Sequence, residues 1–116
     1  MPGKRYNGTE AELDAQHYLQ TQGLQPLTRN HRCRGGEIDL VMRHADALVF
    51  VEVRLRRNPA YGGALASVDR RKQQRLVRAA QHYLQHNPWP GPCRFDVVGI
   101  DAAGHYSWIR NAFEAG

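Results

Sequence analysis

The sequence predicts an α/β fold in which helices flank a mixed central β-sheet of about five strands. Three observations predict it: two amphipathic helical segments, five segments with strand character, and a chain of 116 residues, which has room for one core. The order is helix, three strands, helix, two strands, so at least one connection crosses over through a helix. We therefore expect a single domain over residues 1–116, with an ordered core from about residue 8 to residue 113.

The first helix and the first strand are predicted from their ends. Thr9 and Glu12 form a T-x-x-E capping box, which predicts that the helix begins at Thr9, and Gly23 predicts its end. Residues 24–32 are expected to be extended. Because Pro26 cannot donate a hydrogen bond to a neighbouring strand, this segment is predicted to be an edge strand.

Two further strands are predicted at residues 37–43 and 48–55, with turns at residues 34–36 and 44–46. In the first of these strands Ile38, Leu40 and Met42 recur at every second position and should share one side of the sheet. The short turn between the two strands indicates an antiparallel hairpin.

A loop that contains Pro59, Gly62 and Gly63 follows the hairpin, and loops of this length are often functional or mobile. Ser67 or Asp69 is expected to cap a second helix that runs to about residue 85. The last two strands are predicted at residues 93–100 and 105–109.

Composition favours a cytoplasmic protein without a membrane partner. The longest apolar run, residues 47–51, has the length of a strand and is far short of a membrane span. The basic N-terminus is not followed by the apolar stretch of a secretory signal. Cys33 and Cys93 are far apart in the chain, and we expect two free thiols in a reducing compartment.

The net charge of +5 is concentrated in one part of the chain. Residues 1–52 carry seven acids and six Lys or Arg, whereas residues 54–94 carry nine Lys or Arg and one acid, Asp69. Such a block favours binding to a phosphate backbone, because each neutralised phosphate releases counterions. A solvated basic helix face has the same composition, so the charge permits nucleic-acid binding without demanding it.

Two carboxylates are brought together by the predicted hairpin. If the turn is centred between residues 45 and 46, Asp39 lies opposite Glu52 on one side of the sheet. Glu37 then lies opposite Arg54 on that same side, where an ion pair with Arg54 is expected in preference to metal binding. Side chains directly opposed across two strands have Cβ atoms about 5 Å apart, so two acids there repel each other unless a cation lies between them.

A divalent metal ion would relieve that repulsion. Mg²⁺ takes oxygen ligands, commonly one or two carboxylates together with water and a substrate phosphate. Such a metal acidifies bound water and offsets charge on a phosphodiester. The structural alternative is an ion-pair cluster in which one acid pairs with Arg54. The mid-strand position beside a core favours the metal site, because an unneeded charge is costly there.

Four segments resemble one protein family: G-E-I-D-L at residues 36–40, F-V-E-V-R at residues 50–54, the helix that carries Lys72, and R-F-D-V-V at residues 94–98. They look like the YraN family of predicted endonucleases, which is similar to archaeal Holliday junction resolvases of the PD-(D/E)xK nuclease superfamily. The resemblance covers about residues 8–113. It implies a restriction-endonuclease-like core, a Mg²⁺- or Mn²⁺-dependent nuclease, and, by analogy with symmetric junctions, a homodimer.

The resemblance also implies roles for individual residues. Asp39 matches the metal-binding aspartate, and Glu52 matches the acid of (D/E)xK, with the Val53 carbonyl as a further metal ligand. Glu12 matches a glutamate of the first helix that reaches the metal directly or through water. Its alternative role is in the capping box, and Glu10 is the alternative candidate for the metal site.

Arg54 departs from the family, which has lysine at this position. Arginine keeps the charge and can bind a phosphate through two hydrogen bonds. It cannot act as a general base, because an arginine side chain keeps its proton near neutral pH. Since only Lys4 and Lys72 are lysines among the 16 Lys and Arg, drift towards arginine is a simpler explanation. Lys72 matches the family's helix lysine and is expected to reach the site, a phosphate or solvent.

Three functions follow as hypotheses. The first is a metal-dependent endonuclease that hydrolyses phosphodiester bonds in structured or branched DNA, with its catalytic residues at Glu12, Asp39, Glu52 and Arg54. The second is a nucleic-acid-binding module whose degenerate site does not cleave, and the third is a structural domain that binds another protein. In the first hypothesis the DNA backbone is held without sequence readout by Arg56, Arg57, Arg71, Lys72, Arg75 and Arg78.

Overall fold

The protein folds as three layers, with one helix on each face of a five-stranded sheet. The computed structural model describes residues 8–56, without the side chain of Arg56, and residues 63–115. The elements are α1 (Gly8–Thr21), β1 (Gln25–Cys33), β2 (Gly36–His44), β3 (Ala47–Arg56), α2 (Arg70–His86), β4 (Cys93–Asp101) and β5 (Tyr106–Phe113). The predicted α/β class and the predicted order of helices and strands are confirmed.

The sheet has the strand order β1-β2-β3-β4-β5, so strands that follow each other in the chain are also neighbours in space. β3 and β4 run parallel and are connected through α2, whereas the other neighbouring pairs are antiparallel. The sheet is therefore mixed, as predicted, with its crossover at α2. β1 is an edge strand, as Pro26 predicted.

Two apolar clusters fill the space between the sheet and the helices. Leu76 and Tyr83 of α2 pack with Phe50 on one face, and Ala15 and Leu19 of α1 pack against the other face. None of the helices in the described ranges is long and apolar enough to cross a membrane. Burial of each helix on one face of the sheet stabilises the domain through the apolar area removed from water.

The ends of the helices are set by local hydrogen bonds. The described part of α1 begins at Gly8, so Thr9 lies inside the helix and the predicted capping box is wrong. Gly23, at φ +96°, follows the end of α1 in the left-handed conformation that favours glycine. Asp69 caps α2, since its Oδ1 accepts a hydrogen bond from the backbone N–H of Lys72 at 2.9 Å. Of the two predicted caps, Asp69 is therefore confirmed.

The regular alternation of β2 side chains between the two faces of the sheet is interrupted at Asp39. The prediction that Ile38, Leu40 and Met42 share one side is wrong, because Ile38 packs in the cluster under α2 while the other two pack under α1. The neighbouring strand is irregular at the same level. Asn30 adopts φ +54° between the residues of β1 that pair with Ile38 and Leu40. Both strands therefore leave regular geometry beside Asp39.

β5 is longer than predicted, because it continues past residue 109 to Phe113. The register with β4 shifts between Phe95 and Val97. At that shift the carboxylate of Asp96 accepts the backbone N–H of Asn111 at 2.9 Å. The buried Asp96 side chain thus replaces a backbone hydrogen bond between β4 and β5. The alternation of apolar residues in the sequence does not predict this replacement.

Candidate active site

The β2–β3 hairpin has the predicted register. Its pairs run from His44 opposite Ala47 to Leu40 opposite Val51, which matches a turn centred between residues 45 and 46. This register brings the predicted acids to the same end of the hairpin, immediately beyond the last of these pairs.

Asp39 occupies the next position, where its side chain takes the place of a backbone acceptor. The Oδ2 atom accepts a hydrogen bond from the backbone N–H of Val53 at 2.8 Å. The N–H and C=O of one strand residue point to the same neighbouring strand, so the Val53 carbonyl also faces the Asp39 side. The carboxylate and the carbonyl that were predicted as metal ligands are therefore close to each other.

Glu52 lies on the α2 side of the sheet and is 4% exposed. Its Oε1 is 3.7 Å from the Nζ of Lys72. Its Oε2 is buried and has no hydrogen-bond partner among the described residues. The Asp39 carboxylate accepts a hydrogen bond from the backbone of Val53, the residue after Glu52, so the structure brings the two predicted acids together.

The pKa of Glu52 is raised to about 8. Burial is the largest cause, and the charge and hydrogen bonding of Asp39 add to it, because both disfavour a second negative charge. Lys72 and Arg54 lower the pKa but do not offset these causes. In the metal-free protein Glu52 therefore holds a proton at pH 7, which leaves its contact with Lys72 weaker than a full ion pair.

Glu12 approaches Asp39 from the other face of the sheet, on α1. Burial and the charge of Asp39 raise the pKa of Glu12, and a hydrogen bond from the Asn30 side chain lowers it. The Oε1 atom of Glu12 is buried without a hydrogen-bond partner among the described residues. Asn30 was missed by sequence reasoning, although asparagine is a residue type that favours left-handed backbone.

The donor set fits a hard divalent cation. Asp39, Glu52 and the Val53 carbonyl offer oxygen atoms only, and Mg²⁺ is commonly held by one or two carboxylates with water completing its shell. The buried Oε2 of Glu52 is an acceptor that a cation would satisfy. Within residues 8–56 and 63–115 no group of three or more His, Cys, Asp or Glu side chains is arranged to hold a metal ion.

Arg54 is held by the segment that precedes α2. Its Nε donates to the Ser67 hydroxyl at 2.9 Å, and that hydroxyl donates to the Ala64 carbonyl at 2.6 Å. Glu37 forms its ion pair with Arg32 at 3.2 Å. The predicted pairing of Glu37 with Arg54 is therefore wrong, because each of the two side chains has a different partner. Ser67, expected as a helix cap, serves as an anchor for the arginine.

The sequence model of the uncharacterised protein family UPF0102 matches residues 11–100. The chain belongs to UPF0102. The matched range contains every residue of the candidate site, from Glu12 in α1 to Lys72 in α2. The site therefore lies within the part of the chain that defines the family.

Proteins named UPF0102 protein are similar to this chain over nearly its whole length. The one from Saccharophagus degradans is 57% identical over 108 residues, which cover 91% of each chain. The one from Pseudomonas putida (strain GB-1) is 56% identical over 113 residues, covering 92% of each chain. The one from Stutzerimonas stutzeri is 54% identical over 120 residues, covering 99% of this chain and 100% of the relative.

A row of arginines lies beside the site in this UPF0102 protein. Arg71, Arg75 and Arg78 are exposed on α2, at spacings of four and three residues that place them along one side of the helix. Arg78 reaches the turn between β1 and β2, where its side chain packs over Gly35. α2 contains no Asp or Glu. The predicted contribution of Arg57 lies outside the described residues, as does the side chain of Arg56.

Proposed function

We propose that this protein is a Mg²⁺- or Mn²⁺-dependent endonuclease that hydrolyses phosphodiester bonds in structured or branched DNA. The observation that carries the proposal is the placement of Asp39 beside the buried Glu52 at the end of the β2–β3 ladder. Burying two acids together is costly unless a cation or a proton neutralises one of them. A cytoplasmic location, where DNA and Mg²⁺ are both available, is part of the same proposal.

The reaction is the hydrolysis of one P–O bond. The oxygen of water forms a new bond to phosphorus, the bond to one sugar oxygen breaks, and the proton lost by the water is matched by the proton that the leaving oxygen gains. A bound divalent cation supplies acidification of water and neutralisation of phosphate charge. Asp39 and Glu52 would hold the cation, with the Val53 carbonyl beside them, and Arg54 would offset charge on the phosphate.

The surface beside these acids supports binding of a nucleic-acid backbone. Asp69 is the only acid between residues 54 and 94, and it is engaged in capping α2. Arg71, an exposed arginine of α2, is adjacent in sequence to Lys72, whose side chain reaches Glu52. A backbone that follows α2 would therefore bring a phosphate towards the carboxylates.

Cleavage of a four-way DNA junction in the presence of Mn²⁺ tests the proposal directly. We expect cleavage by the wild-type protein, and we expect EDTA or the substitution Asp39→Ala to abolish it. Asp46→Ala is the matched control, because Asp46 is an exposed acid in the turn of the same hairpin. The proposal is wrong if the wild-type protein, shown to be folded and to bind Mn²⁺, leaves junction, flap and single-stranded DNA intact.

A nucleic-acid-binding module that does not cleave is the second candidate. It is favoured by the contact of Arg54 with Ser67, which holds the guanidinium group at the segment before α2 instead of leaving it free to move. Strong, salt-dependent binding to DNA without Mn²⁺-dependent cleavage would support this candidate over the first.

Both candidates predict a measurable salt dependence that the α2 arginines control. We expect Arg75→Ala and Arg78→Ala each to reduce the slope of log K against log salt by roughly 1, because each removes about one phosphate contact. The measurement is a titration of DNA binding at several salt concentrations. Arg43→Ala is a control, because Arg43 is an exposed arginine near the end of β2 and is not on α2. Equal slopes for all three variants would show that DNA does not follow α2.

A further inference from the structure

We propose that Lys72 supplies the ammonium group of this site from α2, in place of the lysine that the (D/E)xK pattern has on β3. The inference rests on the proposed endonuclease function and deepens it by assigning one more catalytic residue. The geometry that carries it is the approach of the Lys72 Nζ to within 3.7 Å of Glu52 Oε1.

The backbone of α2 aims Lys72 at the site. The N–H of Lys72 donates to the capping carboxylate of Asp69 at 2.9 Å, which fixes the first turn of the helix. Leu76 lies one turn further on and is buried under the sheet. Residues four apart on a helix share a face, so Lys72 lies on the side of α2 that meets the sheet. Its side chain is nevertheless 26% exposed, which leaves the ammonium group within reach of a ligand.

Arg54 is less able to fill this role. Its Nε is engaged by Ser67, whose hydroxyl is itself bonded to the carbonyl of Ala64. Ala64 is buried against Gly99, where an added Cβ would overlap the Ala64 methyl group. The guanidinium group is therefore tied to a tightly packed segment. Of the two cations, Lys72 also has the larger effect in lowering the pKa of Glu52.

The contact between Lys72 and Glu52 differs from a closed structural ion pair. Its distance of 3.7 Å exceeds the 2.7–2.9 Å that is typical of a charge-assisted hydrogen bond. The Oε2 of Glu52 is left without a partner among the described residues. A divalent cation held by the carboxylates would repel the ammonium group, and the nearest compensating charge would then be the phosphate of a bound nucleic acid. Lys72 would thus move from Glu52 to the phosphate.

Cleavage kinetics test this assignment. Under single-turnover conditions with Mn²⁺ and a four-way DNA junction, we expect Lys72→Met to cleave about 100-fold more slowly than the wild type, since a group that contacts charge in the transition state has an effect of this size. DNA binding measured in EDTA, where Lys72 stays at Glu52, should change by less than about threefold. Arg43→Met is the control, because Arg43 is an exposed cation near the end of β2 with no role in the proposal, and it should keep the wild-type rate at saturating protein.

A second measurement does not depend on cleavage. Lys4 and Lys72 are the only lysines, so mass spectrometry after treatment with an amine-reactive reagent reports on Lys72 alone in one proteolytic fragment. We expect Mn²⁺ alone to make Lys72 at least threefold more reactive, and Asp39→Ala to remove that effect.

The two proposals fail in different ways. A wild-type protein that cleaves, together with a Lys72→Met variant that cleaves within threefold of it, would overturn the assignment of Lys72 and leave the endonuclease function standing. A wild-type protein that does not cleave would overturn the endonuclease function. The assignment of Lys72 to the site would then be overturned as well if Mn²⁺ left its reactivity unchanged.

Discussion

Replacing Glu52 by glutamine should raise the free energy of unfolding of the metal-free protein at pH 8 by roughly 2–4 kcal/mol. Glutamine has nearly the same shape and cannot acquire a charge, so the buried contact with Asp39 no longer becomes a contact between two anions. The same substitution should abolish binding of Mn²⁺. A variant that is more stable and cannot bind metal is the expected result for an acid retained for function.

The sign of the effect follows from the raised pKa of Glu52. Below about pH 4.5 the carboxyl is protonated in both the folded and the unfolded chain and has no effect on stability. Between pH 4.5 and about 8 the unfolded chain releases the proton while the folded protein retains it, so the free energy of unfolding falls as pH rises. In the Glu52→Gln variant, the free energy of unfolding should therefore decrease less between pH 4.5 and about 8 than in the wild type.

Denaturant unfolding at several pH values in EDTA measures this difference. Glu37→Gln is the matched control, because it removes an acid from the neighbouring strand whose side chain is 41% exposed and paired with Arg32. That variant should follow the wild-type profile closely. Parallel profiles for the wild type and Glu52→Gln between pH 5 and pH 8 would contradict the prediction.

Binding of a divalent cation should release the proton that Glu52 retains in the metal-free protein. A carboxylate must lose its proton before it can bind a metal, so affinity for Mn²⁺ should rise about tenfold per pH unit between pH 6 and pH 8. Calorimetry in buffers of different ionisation enthalpy should detect release of close to one proton per Mn²⁺ near pH 7. An affinity that is independent of pH would show that Glu52 is not a ligand.

The meeting of Asp39 and Glu52 could be predicted from the sequence, because a short turn and a period of two determine the register of a hairpin. The environment of the two acids could not. The Asp39 side chain accepts the backbone N–H of Val53 in place of a backbone carbonyl, and the neighbouring Ile38 packs on the α2 face of the sheet and not on the α1 face. These features lie beside Asn30, a residue of left-handed backbone in the neighbouring strand, so they involve contacts between strands that the local pattern does not contain.

The surroundings of Arg54 lay beyond sequence reasoning for a related reason. Ser67 is thirteen residues further along the chain, and its hydroxyl had a plausible local use as a helix cap. The structure gives that use to Asp69 and brings Ser67 to the arginine instead. A choice between two polar side chains two residues apart depends on where the helix docks, which short-range propensity does not determine.

The end of β5 also depends on a side chain that short-range propensity does not identify. Substitution of that side chain, Asp96, has the largest expected loss of stability. Asp96 is 1% exposed and lies at the register shift between β4 and β5. Its carboxylate accepts hydrogen bonds from the Nε of Arg94 at 3.0 Å, the Nε1 of Trp108 at 2.9 Å and the backbone N–H of Asn111 at 2.9 Å. One side chain therefore satisfies donors from two strands.

Substitution of Asp96 by alanine should lower the free energy of unfolding by about 3–5 kcal/mol, because it leaves Arg94, itself only 16% exposed, without its carboxylate and removes the acceptor from two further donors. Denaturant unfolding measures the loss, and the exposed control Asp46→Ala should stay within about 0.5 kcal/mol of the wild type. Asp96→Asn keeps the shape without the charge, and should chiefly speed amide hydrogen exchange at Asn111. If Asp96→Ala were as stable as the control, the carboxylate would not be what holds the extended end of β5 to the sheet.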